Sequence, residues 1–331
     1  MHEMPNLSKR LGGPRLFIKR DDLTGVAFGG NKSRKLEFFM GQAKAEGADI
    51  IVSGSGPQSN FSSQCVAAAA RVGLRTVLVN WAAEGYTPTE WDGNILLQKM
   101  MGAEIYFETM ERQQRAIEEK AEELRDRGLR PYVLPVGGEG PLGAISYVNA
   151  MLEILNQTNE LGVDLDYVVE CFGSGSTYAG LLVGAKAFNM NTKVLGIINN
   201  QYRTRAEHFE KALEYARSTA KLLEVDASFS KDDIEIFDEF VGEGYGVAEK
   251  PIVEALTLPA QTEGIFLCPA YTGRAMMGLI GLIRRGYFKK TDNVCFLHSG
   301  GTAALFPYRE PIRAIMEDRK PPWTRPAWLY G

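Results

Sequence analysis

The chain has 331 residues, 45% of them hydrophobic and 24% charged, with a formal net charge of −4. This is the composition of a folded globular protein long enough for two lobes around a cleft. No basic run stands out, so nucleic acid is not an expected partner. The four cysteines (Cys65, Cys171, Cys268, Cys295) lie singly in or beside apolar runs and read as buried, reduced thiols. With three histidines and no Cys-x-x-Cys, no metal site is expected. No secretory leader or membrane-length apolar run is evident, so a cytoplasmic location is the expectation.

In chain order, the strand-like Phe17-Ile18 runs into Lys19-Arg20-Asp21-Asp22, then two glycines, then a helix start at Asn31-Lys32-Ser33. The paired glycines permit a tight turn and leave room for a flat ligand beside Lys32. An amine near a helix start can form a Schiff base and shuttle a proton, as pyridoxal phosphate chemistry requires. Taken alone, Lys32 could equally be a surface charge. Strand-like runs and helical stretches then alternate. Strands are expected at 50–52, 76–79, 104–107, 132–135, 167–171 and 193–198, with helices at 63–71, 94–101, 110–127 and 179–188. Such alternation predicts parallel sheets with helices on both faces. The pattern by itself gives two α/β halves meeting near 150–165. The proline-rich tail, Lys320-Pro321-Pro322-Trp323, reads as a surface arm that could pack on a partner subunit.

Strand 167–171 runs into Gly173-Ser174-Gly175-Ser176-Thr177 and then a helix. Glycine N–H groups, hydroxyls and a helix N-terminus together suit a phosphate, although a capped turn has the same composition. A Walker loop is excluded because no lysine follows the last glycine. A dinucleotide fingerprint fits poorly, because its third glycine is misplaced and Ile197-Ile198-Asn199 ends without an acid. Gln58-Ser59-Asn60 also stands between a strand and a helix, where an amino-acid carboxylate could sit on the amides or a residue could simply cap the helix.

These segments occur in one order with Pro269-Ala270-Tyr271-Thr272-Gly273 and His298-Ser299-Gly300-Gly301-Thr302. Together they resemble the D-cysteine desulfhydrase and 1-aminocyclopropane-1-carboxylate (ACC) deaminase family of pyridoxal phosphate enzymes, over nearly the whole chain. The resemblance implies a tryptophan-synthase-β-like α/β fold of two lobes, each a mostly parallel sheet flanked by helices. Residues 1–41 and 151–331 would form the large cofactor lobe, and 42–150 the small inserted substrate lobe. It further implies that Lys32 carries the cofactor, that Gly173, Ser174, Gly175, Ser176 and Thr177 hold its phosphate with Lys35, and that Asn60 and Ser299 also touch it. Ser59, Tyr245 and Tyr271 would join Lys32 as catalytic groups, and Asn60, Phe61 and Glu139 would complete the substrate contacts.

The implied reaction is a lyase or deaminase step on a small amino acid, a β-elimination that gives a keto acid and ammonia. ACC deamination, an L-cysteate sulfo-lyase-like elimination and β-replacement are the rivals. A non-catalytic binding role would not need Lys32. A homodimer is the expected assembly.

Three positions depart from the family pattern. Phe61 and Ser63 stand where relatives carry a polar side chain and an arginine. Glu139 stands in a loop where desulfhydrase-like relatives usually carry Ser-Asn. ACC deaminases have an acid after the tyrosine matching Tyr271, where this chain has Thr272, while Ser299 matches the hydroxyl of desulfhydrases. A neutral hydroxyl does not hold the ring nitrogen protonated, which favours loss of a good β-leaving group over ring opening.

Overall fold

The computed structural model describes residues 1–86, 88 and 91–330. The first elements are β1 (His2–Glu3), α1 (Pro5–Leu11), β2 (Arg15–Arg20) and α2 (Asn31–Ala45). There follow β3 (Ile50–Ser53), α3 (Asn60–Arg71), β4 (Arg75–Trp81), α4 (Gly93–Met100), β5 (Glu104–Glu108), α5 (Met110–Asp126) and β6 (Pro131–Val133). The chain continues through α6 (Pro141–Leu161), β7 (Tyr167–Phe172), α7 (Ser176–Ala187), β8 (Lys193–Ile198), α8 (Arg205–Leu222) and β9 (Glu235–Phe237). It closes with α9 (Lys250–Glu263), α10 (Thr272–Arg284), β10 (Asn293–His298), α11 (Arg309–Met316) and α12 (Ala327–Tyr330).

Two sheets result. One has six strands in the order β1-β2-β10-β7-β8-β9, the other four in the order β5-β4-β3-β6. Every pairing is parallel except β1 with β2. The central strands of the larger sheet are buried almost throughout, and helices cover both faces. Tyr147, Val168, Phe172 and Tyr178 pack on one side, and Val169, Leu195, Leu279 and Phe296 on the other. This is why these strands read as continuous apolar runs and not as alternating ones.

The fold is α/β with parallel sheets flanked by helices, as the residue pattern and the resemblance both led us to expect. Helix α6 runs through residues 150 and 151, where the expected lobe boundary lies, and packs on α2, α7 and α8. The tail at 320–323 lies at the surface and is held to its own chain. Trp323 stacks against Tyr308 and Trp328 at 5.4 and 5.8 Å. The Ala248 N–H donates to the Thr324 carbonyl at 2.8 Å. Burying aromatic surface against its own chain holds this segment down, so it is not a free arm.

Parallel strands end together, so the turns after β2, β7, β8 and β10 meet at one edge of the larger sheet. That edge faces the start of α3 and the turns after β4 and β6. The cavity lies between them.

Candidate active site

The start of α2 is held first by its backbone. Gly29 and Gly30 have φ of +65° and +129°. A Cβ on Gly30 would lie 2.8 Å from the Ser299 carbonyl oxygen, and one on Gly300 would lie 2.7 Å from the Gly30 Cα. The Asn31 N–H donates to that Ser299 oxygen at 3.0 Å. The glycines thus bring the first turn of α2 against the end of β10, a tighter use than the room for a ligand expected from sequence. Two residues after Lys32, Arg34 forks onto Asp21 (2.9 Å) and Glu153 (2.7 Å), while Tyr147 donates to Asp21 at 2.6 Å. Burial alone would raise the Glu153 pKa, but hydrogen bonds from Arg34 and Lys19 outweigh it and hold the group at about 2. This network pins α2 to β2 and α6.

Lys32 therefore enters the cavity from a rigid base. Its Nζ donates to the Gly137 carbonyl at 2.9 Å. Burial lowers its pKa, against a smaller upward pull from Glu139, Cys171 and Glu170. A larger neutral fraction makes the amine a better nucleophile and base.

The cavity is about 380 Å³, within the range of small-molecule sites. Of the residues expected at the site, Lys32, Lys35, Ser59, Asn60, Phe61, Glu139, Gly173, Ser174, Gly175, Thr177, Tyr245, Tyr271 and Ser299 all line it. Ser176 does not. It is fully buried and accepts a hydrogen bond from Lys35 Nζ at 2.6 Å. Burial pushes the Lys35 ammonium well below its ordinary pKa, and the like charge of Lys32 adds to this. A buried amine beside the N-terminus of α7 is a donor set that favours an anion. Asn31 Nδ2 donates to Thr177 Oγ1 at 3.3 Å and ties the turn to α2.

Ser59 is the N-cap of α3, its hydroxyl accepting from the Ser62 N–H at 3.2 Å. The capping reading and the site reading hold together here, because an accepting hydroxyl keeps its own proton to donate. Asn60 Oδ1 accepts from Asn94 at 2.9 Å, which fixes that amide. Ser63 turns away from the cavity and hydrogen-bonds to the Asn94 carbonyl at 3.2 Å. Thr272 also lies outside the cavity lining. It is fully buried, and its hydroxyl accepts from the Cys268 N–H at 2.9 Å. Glu139 stands half-buried on the cavity wall, without a hydrogen bond or ion pair to any described residue.

Tyr245 and Tyr271 meet hydroxyl to hydroxyl, their rings 5.6 Å apart and close to perpendicular. Burial pushes both phenols above their ordinary pKa, so they stay protonated at neutral pH. Fully buried Arg274 in the first turn of α10 holds the Tyr245 loop. It bonds the carbonyls of Gly244 (3.0 Å) and Val247 (2.9 Å) and pairs with Glu249.

Sequence reasoning missed several lining residues: Trp81, Met110, Asn200, Tyr202, Arg203 and Glu170. A signal existed for three of them. Trp81 and Asn200 close or follow strands at their C-terminal ends, and Glu170 is the single charge in an otherwise apolar strand.

Pyridoxal phosphate fits these residues: an amine of lowered basicity for its aldehyde, and a glycine–hydroxyl turn with a buried lysine for its phosphate. A family model described as "Pyridoxal-phosphate dependent enzyme" matches residues 1–300. The chain is 38% identical over 320 residues to the ACC deaminase of Burkholderia vietnamiensis, covering 94% of each chain. It is also 38% identical over 311 residues to the D-cysteine desulfhydrase of Klebsiella pneumoniae, covering 92% of each. Among solved structures it superposes on an ACC deaminase homologue with a TM-score of 0.85 and 34% identity, covering 95% of this chain and 92% of that one. A threonine deaminase shares the fold at a TM-score of 0.64 and 20% identity. The chain belongs to the pyridoxal-phosphate-dependent enzyme family, and its cofactor is pyridoxal 5′-phosphate.

Proposed function

We propose that the protein is a lyase or deaminase of small amino acids that acts by β-elimination, in the manner of a D-cysteine desulfhydrase. Names borne by relatives at 38% identity, ACC deaminase and D-cysteine desulfhydrase, both support chemistry at the α-amino group of a small amino acid. When bound, the cofactor supplies the electron sink that acidifies the α-proton. Lys32 carries the cofactor and moves that proton. Gly173–Thr177 and Lys35 hold the phosphate. Ser59 and the N–H groups at the start of α3 bind the substrate carboxylate, with Asn60 and Phe61 shaping that wall. Tyr245 and Tyr271 present a protonated pair of hydroxyls to the substrate. The β-substituent leaves with its bonding electrons, and hydrolysis yields a keto acid and ammonia.

One observation favours elimination over ring opening. Position 272, where ACC deaminases carry an acid, holds a threonine that is buried and bonded to the Cys268 N–H, outside the cavity lining. The Ser299 hydroxyl does line the cavity and makes no hydrogen bond with a described residue. We place it at the ring nitrogen, where it leaves the ring less electron-withdrawing than an acid would. Ammonia release should therefore be faster from D-cysteine and β-chloro-D-alanine than from ACC. Faster turnover of ACC refutes the reading.

Glu139 is the selectivity element of this reading. A half-buried carboxylate without a hydrogen bond to any described residue favours a substrate tail that donates hydrogen bonds or carries positive charge. A cytoplasmic homodimer belongs to the same proposal. The four cysteines are buried and unpaired, which suits a reducing compartment. Leu23 and Phe28 stand 72% and 65% exposed on the turn before α2, apolar surface that a second copy would cover.

A further inference from the structure

Strand β7 is apolar apart from Glu170, whose side chain is on the same face as Val168 and Phe172 and is 1% exposed. Both carboxyl oxygens are buried without a hydrogen-bond partner among the described residues. The titratable groups that feel its charge are Lys32 and Lys35 from α2, Tyr147 from α6, Tyr178 from α7 and, on its own strand but pointing to the opposite face, Cys171. Four of these are committed elsewhere: Lys32 to the Gly137 carbonyl, Lys35 to Ser176, Tyr147 to Asp21 and Tyr178 to the Val194 carbonyl. Glu170 nevertheless lines the cavity beside Lys35 and the Gly173–Thr177 turn.

An unpaired buried carboxylate is costly, and the group escapes that cost by holding its proton. Burial pushes its pKa up to about 8, even against the opposite pull of Lys35 and Lys32. At neutral pH it is the protonated acid, with an O–H that has no acceptor among the described residues.

We propose that Glu170 is a cofactor-binding residue at the phosphate end of the site, where as a neutral acid it donates its O–H to a phosphate oxygen held by Lys35 and the Gly173–Thr177 turn. This hydrogen bond gives the protonated one of the two unpartnered oxygens an acceptor beside Lys35 and the turn. The sign of its pH dependence follows. A phosphate dianion favours the protonated acid, so binding takes up a proton wherever Glu170 is ionised in the free protein, and affinity falls as pH rises through about 8. Loss of the Lys35 charge acts in the same direction, so the test must separate the two.

The probe is pyridoxine 5′-phosphate, whose alcohol cannot bond covalently to Lys32, with unphosphorylated pyridoxine as the control for ring binding. Binding is measured to full-length protein freed of cofactor. Glu170→Gln keeps an N–H donor of similar shape and cannot ionise. It should bind the phosphorylated probe within about twofold of wild type near neutral pH and lose less affinity on going to about pH 9, the gap reaching about tenfold. Glu170→Leu should bind about tenfold more weakly than Glu170→Gln, with pyridoxine unaffected. In the wild-type holoenzyme the cofactor ³¹P resonance should move over this pH range more than in Glu170→Gln. The proposal is overturned if Glu170→Gln weakens binding as much as leucine does, because a charged partner for Lys35 would then be what matters. It is equally overturned if wild type and Glu170→Gln share one pH profile. Should the leucine variant fail to fold, the glutamine comparison decides alone.

Discussion

At the scale of single residues, the proposed chemistry rests on an amine that is easier to deprotonate than an ordinary lysine. Burial is the largest cause, and the base it sits on is rigid because Arg34, Asp21 and Glu153 clamp the same helix turn. The folded-state pKa of Lys32 is lowered, so its neutral fraction is already large below the ordinary 10.5. Capture of added pyridoxal phosphate by the cofactor-free protein should level off below that pH. Borohydride should then trap the adduct on the peptide that carries Lys32. A capture rate that still climbs through the ordinary lysine pKa, or an adduct on another lysine, would contradict this assignment.

Among the elements, α10 is the best case of a helix whose start serves two tasks. Tyr271 is its N-cap residue and reaches the cavity, while Arg274, three residues on, anchors the loop that carries Tyr245. One helix turn thereby sets both members of the tyrosine pair. Arg274→Met removes the cation and leaves Glu249 and two carbonyls without their donor. Breaking a buried pair in this way typically costs ~3–5 kcal/mol, and denaturant unfolding should register it. Arg274→Lys should keep much of the stability but lose the fork, lowering kcat more than cofactor affinity. If both variants unfold like wild type, the loop is held by other contacts.

Elements of this kind were only partly legible. Strand 193–198 was readable to the residue, because a buried parallel strand writes itself as one apolar run between polar ends. Helix α6 left no such trace. It is buried on several sides by α2, α7 and α8, so its apolar residues follow no single stripe. The cavity lining was readable where motifs are local, as at Lys32 and Lys35 and at Gly173, Ser174, Gly175 and Thr177. It was not readable where the fold decides which way a side chain faces. Ser63 and Thr272 sit within motifs that reach the cavity, yet helix geometry turns them away from it. Glu170 sits in what looks like a core strand, yet it reaches the cavity.

The whole molecule is organised around a cavity whose lining comes from both sheets' strand ends, and a cofactor held as proposed would be part of its stability. Residues 15–20 pair with 293–298, and the start of α2 is bridged to the end of β10, so the walls that carry Lys32, Lys35 and Ser299 are knit by backbone. The Phe61 wall belongs to the start of α3 and the Glu139 wall to the turn after β6, and they meet the first group across the cavity. A ligand that touches both sides stabilises the folded state by mass action, by ~4 kcal/mol at a thousandfold excess over its Kd. Removing pyridoxal phosphate should lower the unfolding temperature by several degrees. Inorganic phosphate should restore part of that loss, because it engages Lys35 and the Gly173–Thr177 turn without reaching the opposite wall. Pyridoxine 5′-phosphate should restore more, and the cofactor itself, through its bond to Lys32, should restore all of it. If phosphate alone restores the full shift, the stabilisation lies in the turn and not in bridging the two sheets. If it restores none, the turn is not the anion site.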